Sequence, residues 1–148
     1  MSLSDKDSEL LAQLSKYGKA SQRELAKETG VALGTVNAHI KQLEKDKIIK
    51  GYFADIDAEK VGFNLTAIIN LRIRKGTLMD VQASIAKHSR VFGVYDVTGE
   101  WDSLILARFR NREEMDKFIK TTLSQEYIER TSTSLVLNTV KEEPRILL

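Results

Sequence analysis

Residues 21–50 read SQRELAKETGVALGTVNAHIKQLEKDKIIK, and their pattern decides the fold. Ser21-Gln22-Arg23-Glu24 opens a helix as a capping box: the serine side chain can accept from the Glu24 amide while the glutamate reaches back to the amide of Ser21. Leu25 and Ala26 face inward, and Thr29-Gly30 ends the helix at a residue that tolerates positive φ. A second helix is expected over residues 33–46, with Val36, Ile40 and Leu43 as its buried stripe at spacings of four and three. Residues 48–57 are short, partly apolar and read as extended, a wing strand leading into a linker. Two short helices, a tight turn and an extended run are the layout of a winged helix-turn-helix. Off the stripe, Thr35, Asn37, Ala38, His39, Lys41, Gln42 and Lys45 form a small, polar and basic face that suits a DNA groove.

Upstream, Ser4 caps a helix over residues 5–16, with Asp7 in its first turn and Leu10, Leu11 and Leu14 as its stripe. The chain has 148 residues, enough for one ordinary domain or two small ones. A hydrophobic fraction of 42% and a charged fraction of 30% describe a globular chain rather than a disordered one. No run of about 18 apolar residues predicts a membrane span, and the acidic, polar start has no signal-peptide core, so a cytoplasmic protein is expected. The absence of cysteine excludes disulfides, thiol nucleophiles and cysteine metal sites. Net charge is only +2, so a nucleic-acid reading must rest on where the charges sit.

Beyond a hinge at residues 59–64 the periodicity changes. Leu65, Ala67, Ile69, Leu71 and Ile73 share one face of a strand over residues 65–74; Thr66, Asn70, Arg72 and Arg74 lie on the other, with Ile68 among them. A helix follows over residues 77–87, with Thr77 and Asp80 as cap and Leu78, Val81 and Ile85 as stripe. Residues 92–98 and 103–110 read as a hairpin around the turn Gly99-Glu100-Trp101-Asp102. Asn111 caps a further helix carrying Met115, Phe118, Ile119 and Leu123; a last strand is expected over residues 131–140 and a tail over 141–148. The order strand, helix, strand, strand, helix, strand is the ferredoxin-like unit. The fold class is therefore α+β: a winged helix-turn-helix over residues 1–52, a linker over 53–64 and a ferredoxin-like domain over 65–148. The sheet face without helices keeps apolar members (Ile68, Val136, Phe109 or a neighbour), which predicts a homodimer joined sheet to sheet.

This arrangement resembles the Lrp/AsnC family, the leucine-responsive or feast/famine transcription regulators of bacteria and archaea. Asp5-Lys6-Asp7-Ser8-Glu9-Leu10-Leu11 is close to the family's opening Asp-x-x-Asp-x-x-(Ile/Leu)-Leu, slightly out of register. Residues 32–49 match its third-helix pattern at most framework positions, and Val97-Thr98-Gly99-Glu100-Trp101-Asp102-Ser103-Leu104-Ile105 looks like its hairpin motif. The chain departs at Ala32, where a capping serine is common, at Gly34 and His39, which bear on sequence preference, at Lys47, where glycine is common, and at Trp101, which replaces a smaller aromatic.

In a helix-turn-helix dimer the second helix of each motif enters the major groove. Asn37 and Gln42 can pair with adenine, Thr35 and Ala38 can touch a thymine methyl, and His39 can bond a base edge. Ser21, Gln22, Arg23, Lys41 and Lys45 suit phosphates. On an isolated helix such a face is more often plain solvated surface; the surrounding framework favours the DNA reading. Residues 99–102 are, by hairpin chemistry alone, a turn. The resemblance implies more: a small effector, usually an amino acid, bound at this turn between dimers. Thr98, Gly99, Glu100, Trp101 and Asp102 would then line the site, with Asp102 on the ammonium group and Thr131, Ser132 and Thr133 on the carboxylate. The dimer would assemble into a tetramer or octamer. No cofactor or metal is expected. His39 and His88 supply no nucleophile–base set, so the chain is read as a non-enzyme. A ligand-independent architectural DNA-binding protein and a sirohaem-decarboxylase-like enzyme are the alternatives.

Overall fold

The computed structural model describes residues 3–143, 145 and 146. The chain forms two compact units, Met1–Asp55 with Lys141–Leu148, and Ile56–Val140. Pro144, Leu147 and Leu148 of the expected tail, and Met1 and Ser2, lie outside the described residues. No described helix is long and apolar enough to cross a membrane.

The first unit holds α1 (Asp5–Lys16), α2 (Gln22–Thr29) and α3 (Leu33–Lys45). Ser4 and Ser21 each form the reciprocal capping box, with Asp7 and Glu24 as its acids, so two orphan amides are satisfied at the start of α1 and α2. Gly30 turns between α2 and α3 at φ 67°, a left-handed conformation that a Cβ would oppose. Leu10, Leu25, Val36 and Ile40 make the core, with Leu14, Ala20, Ala26, Val31 and Ile49 packed around it; Leu11 is only half-buried.

The expected wing strand is not formed. The run over residues 50–57 has no ladder partner among the described residues, and a strand needs one. Its Tyr52 hydroxyl instead donates to the Glu44 carboxylate at 3.0 Å.

The second unit follows β1 (Leu65–Ile73), α4 (Leu78–Ala86), β2 (Val91–Asp96), β3 (Ser103–Phe109), α5 (Arg112–Thr122) and β4 (Ile128–Leu135). The strands pair antiparallel in the order β2-β3-β1-β4, so β1 and β3 are central. Ala67, Ile69, Leu71 and Ile73 of β1 and Ile105, Ala107 and Phe109 of β3 alternate into one core with Val81, Ile85, Met115, Phe118 and Leu123 from the helical segments. Phe109 therefore sits in this core, its ring 5.3 Å from that of Phe118, and not on the open sheet face. Leu104 and Leu106 join Ile68 on that face, because they alternate with the buried residues of β3.

Three boundaries differ from expectation. The last strand runs from Ile128 to Leu135 rather than over 131–140, because it pairs with β1 from Ile73↔Ile128 to Ala67↔Leu135 and β1 begins only two residues further on. The described residues of the expected tail, 141–143, 145 and 146, group with the helical unit rather than with the sheet; Ser15 Oγ donates to the Ile146 carbonyl at 2.7 Å. The anticipated hinge is a turn packed on the sheet unit: Phe63 N donates to Ala58 O, and the Phe63 ring lies between the Arg90 and Arg110 guanidinium groups at 5.1 and 4.8 Å. Thr77, expected as a cap, makes no cap bond; its hydroxyl donates back to Arg74 O.

Candidate functional site

At 100° per residue, Val36, Ile40 and Leu43 fix which side of α3 is buried, and the opposite side is Gly34, Ala38, Lys41 and Lys45. All four are exposed. Gly34 has open space where a Cβ would stand. Lys41 and Lys45 have no ion-pair partner among the described residues, so their charge is available to an external anion. Thr35 and Asn37 flank this surface half-buried. At the start of α2, Gln22 and Arg23 are exposed, and Ser21 Oγ accepts from the Glu24 amide at 3.2 Å. Hydrogen bonds from the Ser21 amide and then from its side chain hold the Glu24 carboxyl below its ordinary range, so Ser21 is engaged with the cap.

Two of the expected base readers are engaged within the chain. His39 Nδ1 lies 2.6 Å from Asp7 Oδ1, which draws the imidazole toward α1. The Gln42 amide donates to both carboxylate oxygens of Asp46, at 3.0 and 2.9 Å. Hydrogen bonds first from Ser4 and then from His39 hold the Asp7 carboxyl below its ordinary range, so Asp7 is anionic. Leu3, Asp7, His39, Gln42, Asp46 and Ile48 line one groove of about 330 Å³ beside α3. This flank carries the Asp7 and Asp46 carboxylates and would repel phosphate, whereas the outer face carries Lys41 and Lys45. Sequence reasoning missed this asymmetry because Asp7 and His39 are 32 positions apart. The 100° geometry alone could have singled out Gly34.

α3 itself starts without a side-chain cap, since Ala32 offers none.

The turn between β2 and β3 holds the second candidate site. Gly99 takes φ 117° in open space. The Asp102 carboxylate is not free: Oδ2 accepts the Ile73 amide at 2.8 Å, and Oδ1 lies 3.6 Å from an Arg72 nitrogen. The Asp102 amide in turn donates to Leu71 O, so this residue stitches the turn to β1. Arg72 also donates to the Glu100 carbonyl. Arg130, the register partner of Arg72 on β4, lies 3.5 Å from Glu100 and 5.0 Å over the Trp101 ring. Glu100, Trp101, Arg72 and Arg130 thus converge. The three expected hydroxyls divide: Thr131 and Thr133 pair with the core-facing Leu71 and Ile69, whereas Ser132 pairs with Asn70 and shares the sheet face of Arg72 and Arg130. Thr98 is exposed beside the turn.

His88 is a packing residue. Its ring stands edge-on to Phe118 at 4.7 Å, and Nδ1 accepts the Arg90 amide. No cluster of His, Cys, Asp or Glu among the described residues could hold a metal.

Comparison with known proteins matches residues 3–50 to a winged helix-turn-helix DNA-binding family and residues 66–146 to the Lrp/AsnC ligand binding domain. The chain is 40% identical to an HTH-type transcriptional regulator of Pyrococcus abyssi, over 97% of this chain and 98% of that one. It is 34% identical to HTH-type transcriptional regulator FL11 of Pyrococcus furiosus, over 95% and 93% of the two chains. Among solved structures it is similar to a Neisseria meningitidis transcriptional regulator in complex with L-Met: TM-score 0.89, 28% identity, 98% and 96% covered.

Proposed function

The chain belongs to the Lrp/AsnC family of transcription regulators, and on that footing we propose that it binds specific duplex DNA sites as a dimer or larger assembly whose affinity a small effector adjusts. The observation that carries the DNA reading is the outer surface of α3, where Ala38, Lys41 and Lys45 are exposed and the lysines have no internal partner among the described residues. In the major groove, Thr35, Asn37 and Ala38 read base edges, while Lys41, Lys45, Arg23, Gln22 and Ser21 hold phosphates. His39 leaves the reading set as a strut that ties α3 to α1 through Asp7, and Gln42 leaves it through its bond to Asp46 one turn further along the same helix. The dimer forms through the open sheet face carrying Ile68, Leu104 and Leu106, which sets two recognition helices for half-sites about one turn apart or a multiple of it.

The effector reading is supported by the L-Met complex of the similar Neisseria regulator and by the converging Glu100, Trp101, Arg72 and Arg130. An amino acid would use Glu100 for its ammonium group and an arginine for its carboxylate, with Asp102 holding the turn rather than the ligand.

A gel-shift series tests the DNA reading. Arg23→Ala weakens binding to every sequence. Asn37→Ala relaxes preference at one base pair by roughly 1–3 kcal/mol. Uniform loss across all sequences for Asn37→Ala removes its reading role. Sedimentation showing only monomer at micromolar protein removes the dimer, and calorimetry with all twenty amino acids giving no heat removes the effector.

A further inference from the structure

The turn that ends α3 contains Lys47 at φ 59°, the one non-glycine residue in the left-handed region among those described. The fold requires that conformation. Lys47 N donates to Glu44 O and Ile48 N to Leu43 O, which closes the helix and swings the chain so that Ile49 packs on the core. Glycine would meet the requirement without steric conflict, whereas a Cβ opposes it. The lysine side chain returns nothing to the folded unit that offsets this. It is exposed and makes no ion pair among the described residues, and Lys45 already supplies a cation for the C-terminal end of the helix. A strained residue with no internal partner points to a use outside the chain.

We infer that Lys47 is a phosphate-contacting residue, one that anchors the C-terminal end of α3 to the DNA backbone. It continues the run of exposed, internally unpartnered cations Lys41 and Lys45, with Lys50 just beyond. A lysine acts on phosphate as a point charge and needs no fixed side-chain geometry, which suits a flexible stem on a rigid turn. This inference rests on the DNA reading of α3.

The test measures binding of the full chain to a random-sequence DNA duplex over a salt series, with melting temperature measured alongside. Lys47→Gln and Lys47→Gly each lower the slope of log affinity against log salt by about 0.9 per protomer and weaken binding roughly 5–10-fold near 0.1 M salt. Lys47→Arg keeps both. Lys47→Gly also melts about 3–6 °C higher, so the weaker binding is not a folding defect. Lys117→Gln, on the exposed side of α5, is the control and leaves the slope unchanged. An unchanged slope for Lys47→Gln, or an equal fall for Lys117→Gln, overturns the inference. A wild-type chain that shows no salt-dependent binding takes down the DNA reading itself, and this inference with it.

Discussion

Among the described residues, four buried side chains in one cluster (Leu10, Leu25, Val36 and Ile40) hold the three helices of the first unit, whereas twelve form the single cluster beneath the sheet of the second. The helical unit relies on its ends: two capping boxes and a glycine turn carry order that its small core cannot. The sheet unit relies on its middle, where β1 is hydrogen-bonded on both sides and its alternate residues are fully buried. The exposed chemistry follows the same division. α3 offers unpaired lysines and a bare glycine, while the turn at residues 99–102 is tied down by Asp102 and the arginines. One unit is built to present a surface and the other to hold a geometry.

The largest effects test whether the two cores are separate. Phe109→Ala removes a fully buried ring packed on Phe118 and costs about 3–5 kcal/mol. Trp101, the sole tryptophan, lies in the sheet unit, so its fluorescence reports that loss in a denaturant titration. Leu10→Ala costs about 2–5 kcal/mol but falls on the helical unit. It depletes helical circular dichroism and DNA binding while the Trp101 transition stays in place. A Leu10→Ala chain whose Trp101 signal shifts as much as that of Phe109→Ala would make the two cores one cooperative body.

Asp102→Ala sharpens the second half of the comparison. Deleting the carboxylate leaves the Ile73 amide without its acceptor and costs about 1–3 kcal/mol with no ligand present. Thermal unfolding of the ligand-free chain checks this. An unchanged melting temperature would return Asp102 to the role of ammonium binder.

The helical unit carries a carboxylate whose loss on acidification can be isolated. In the folded chain the Asp7 carboxyl lies below its ordinary 3.8, by its bonds to Ser4 and His39. Near that pH the unfolded chain therefore binds more protons than the folded one. The stabilisation is complete above about pH 5, begins to fade near 3.8 and is lost as pH falls through the folded value. Asp7→Asn is expected to flatten the pH dependence of helical unfolding in that window and to leave the Trp101 transition unaltered. An Asp7→Asn profile superimposing on wild type would show that the acid response lies elsewhere.

What the sequence revealed and what it concealed divide by distance along the chain. The Ser21–Glu24 box, the Asn111 cap and the alternation of β1 involve partners two to four residues apart, so the pattern of side chains specifies them directly. The Asp7–His39 contact spans 32 positions and the Asp102–Ile73 bond 29, and no local rule joins them. Both bear on a candidate site, because they engage His39 and Asp102 within the chain. The last strand slipped for a related reason. Its apolar run continues through Val136, Leu137 and Val140, but its end is set by where β1 begins. The missing wing strand is the same lesson in reverse, an extended run whose local pattern was sound but which finds no partner among the described residues.

The smallest effect isolates what the helical unit gives up at its presenting surface. The N-cap of α3 is Ala32, whose backbone at φ −57° and ψ 140° is already extended, yet it makes no side-chain cap bond to the first-turn amides. A serine there needs no backbone rearrangement, and its oxygen can accept from the Thr35 amide as Ser21 does from Glu24. Ala32→Ser should therefore stabilise the helical unit by about 0.5–1 kcal/mol. Because the added hydroxyl sits at the end of the helix, it leaves Lys41 and Lys45 untouched. Helical unfolding should move to higher denaturant while the Trp101 transition and the salt slope of DNA binding stay fixed. If stability rises and DNA affinity falls, the uncapped amides themselves meet the DNA, and the weak cap belongs to the reading surface rather than to the fold.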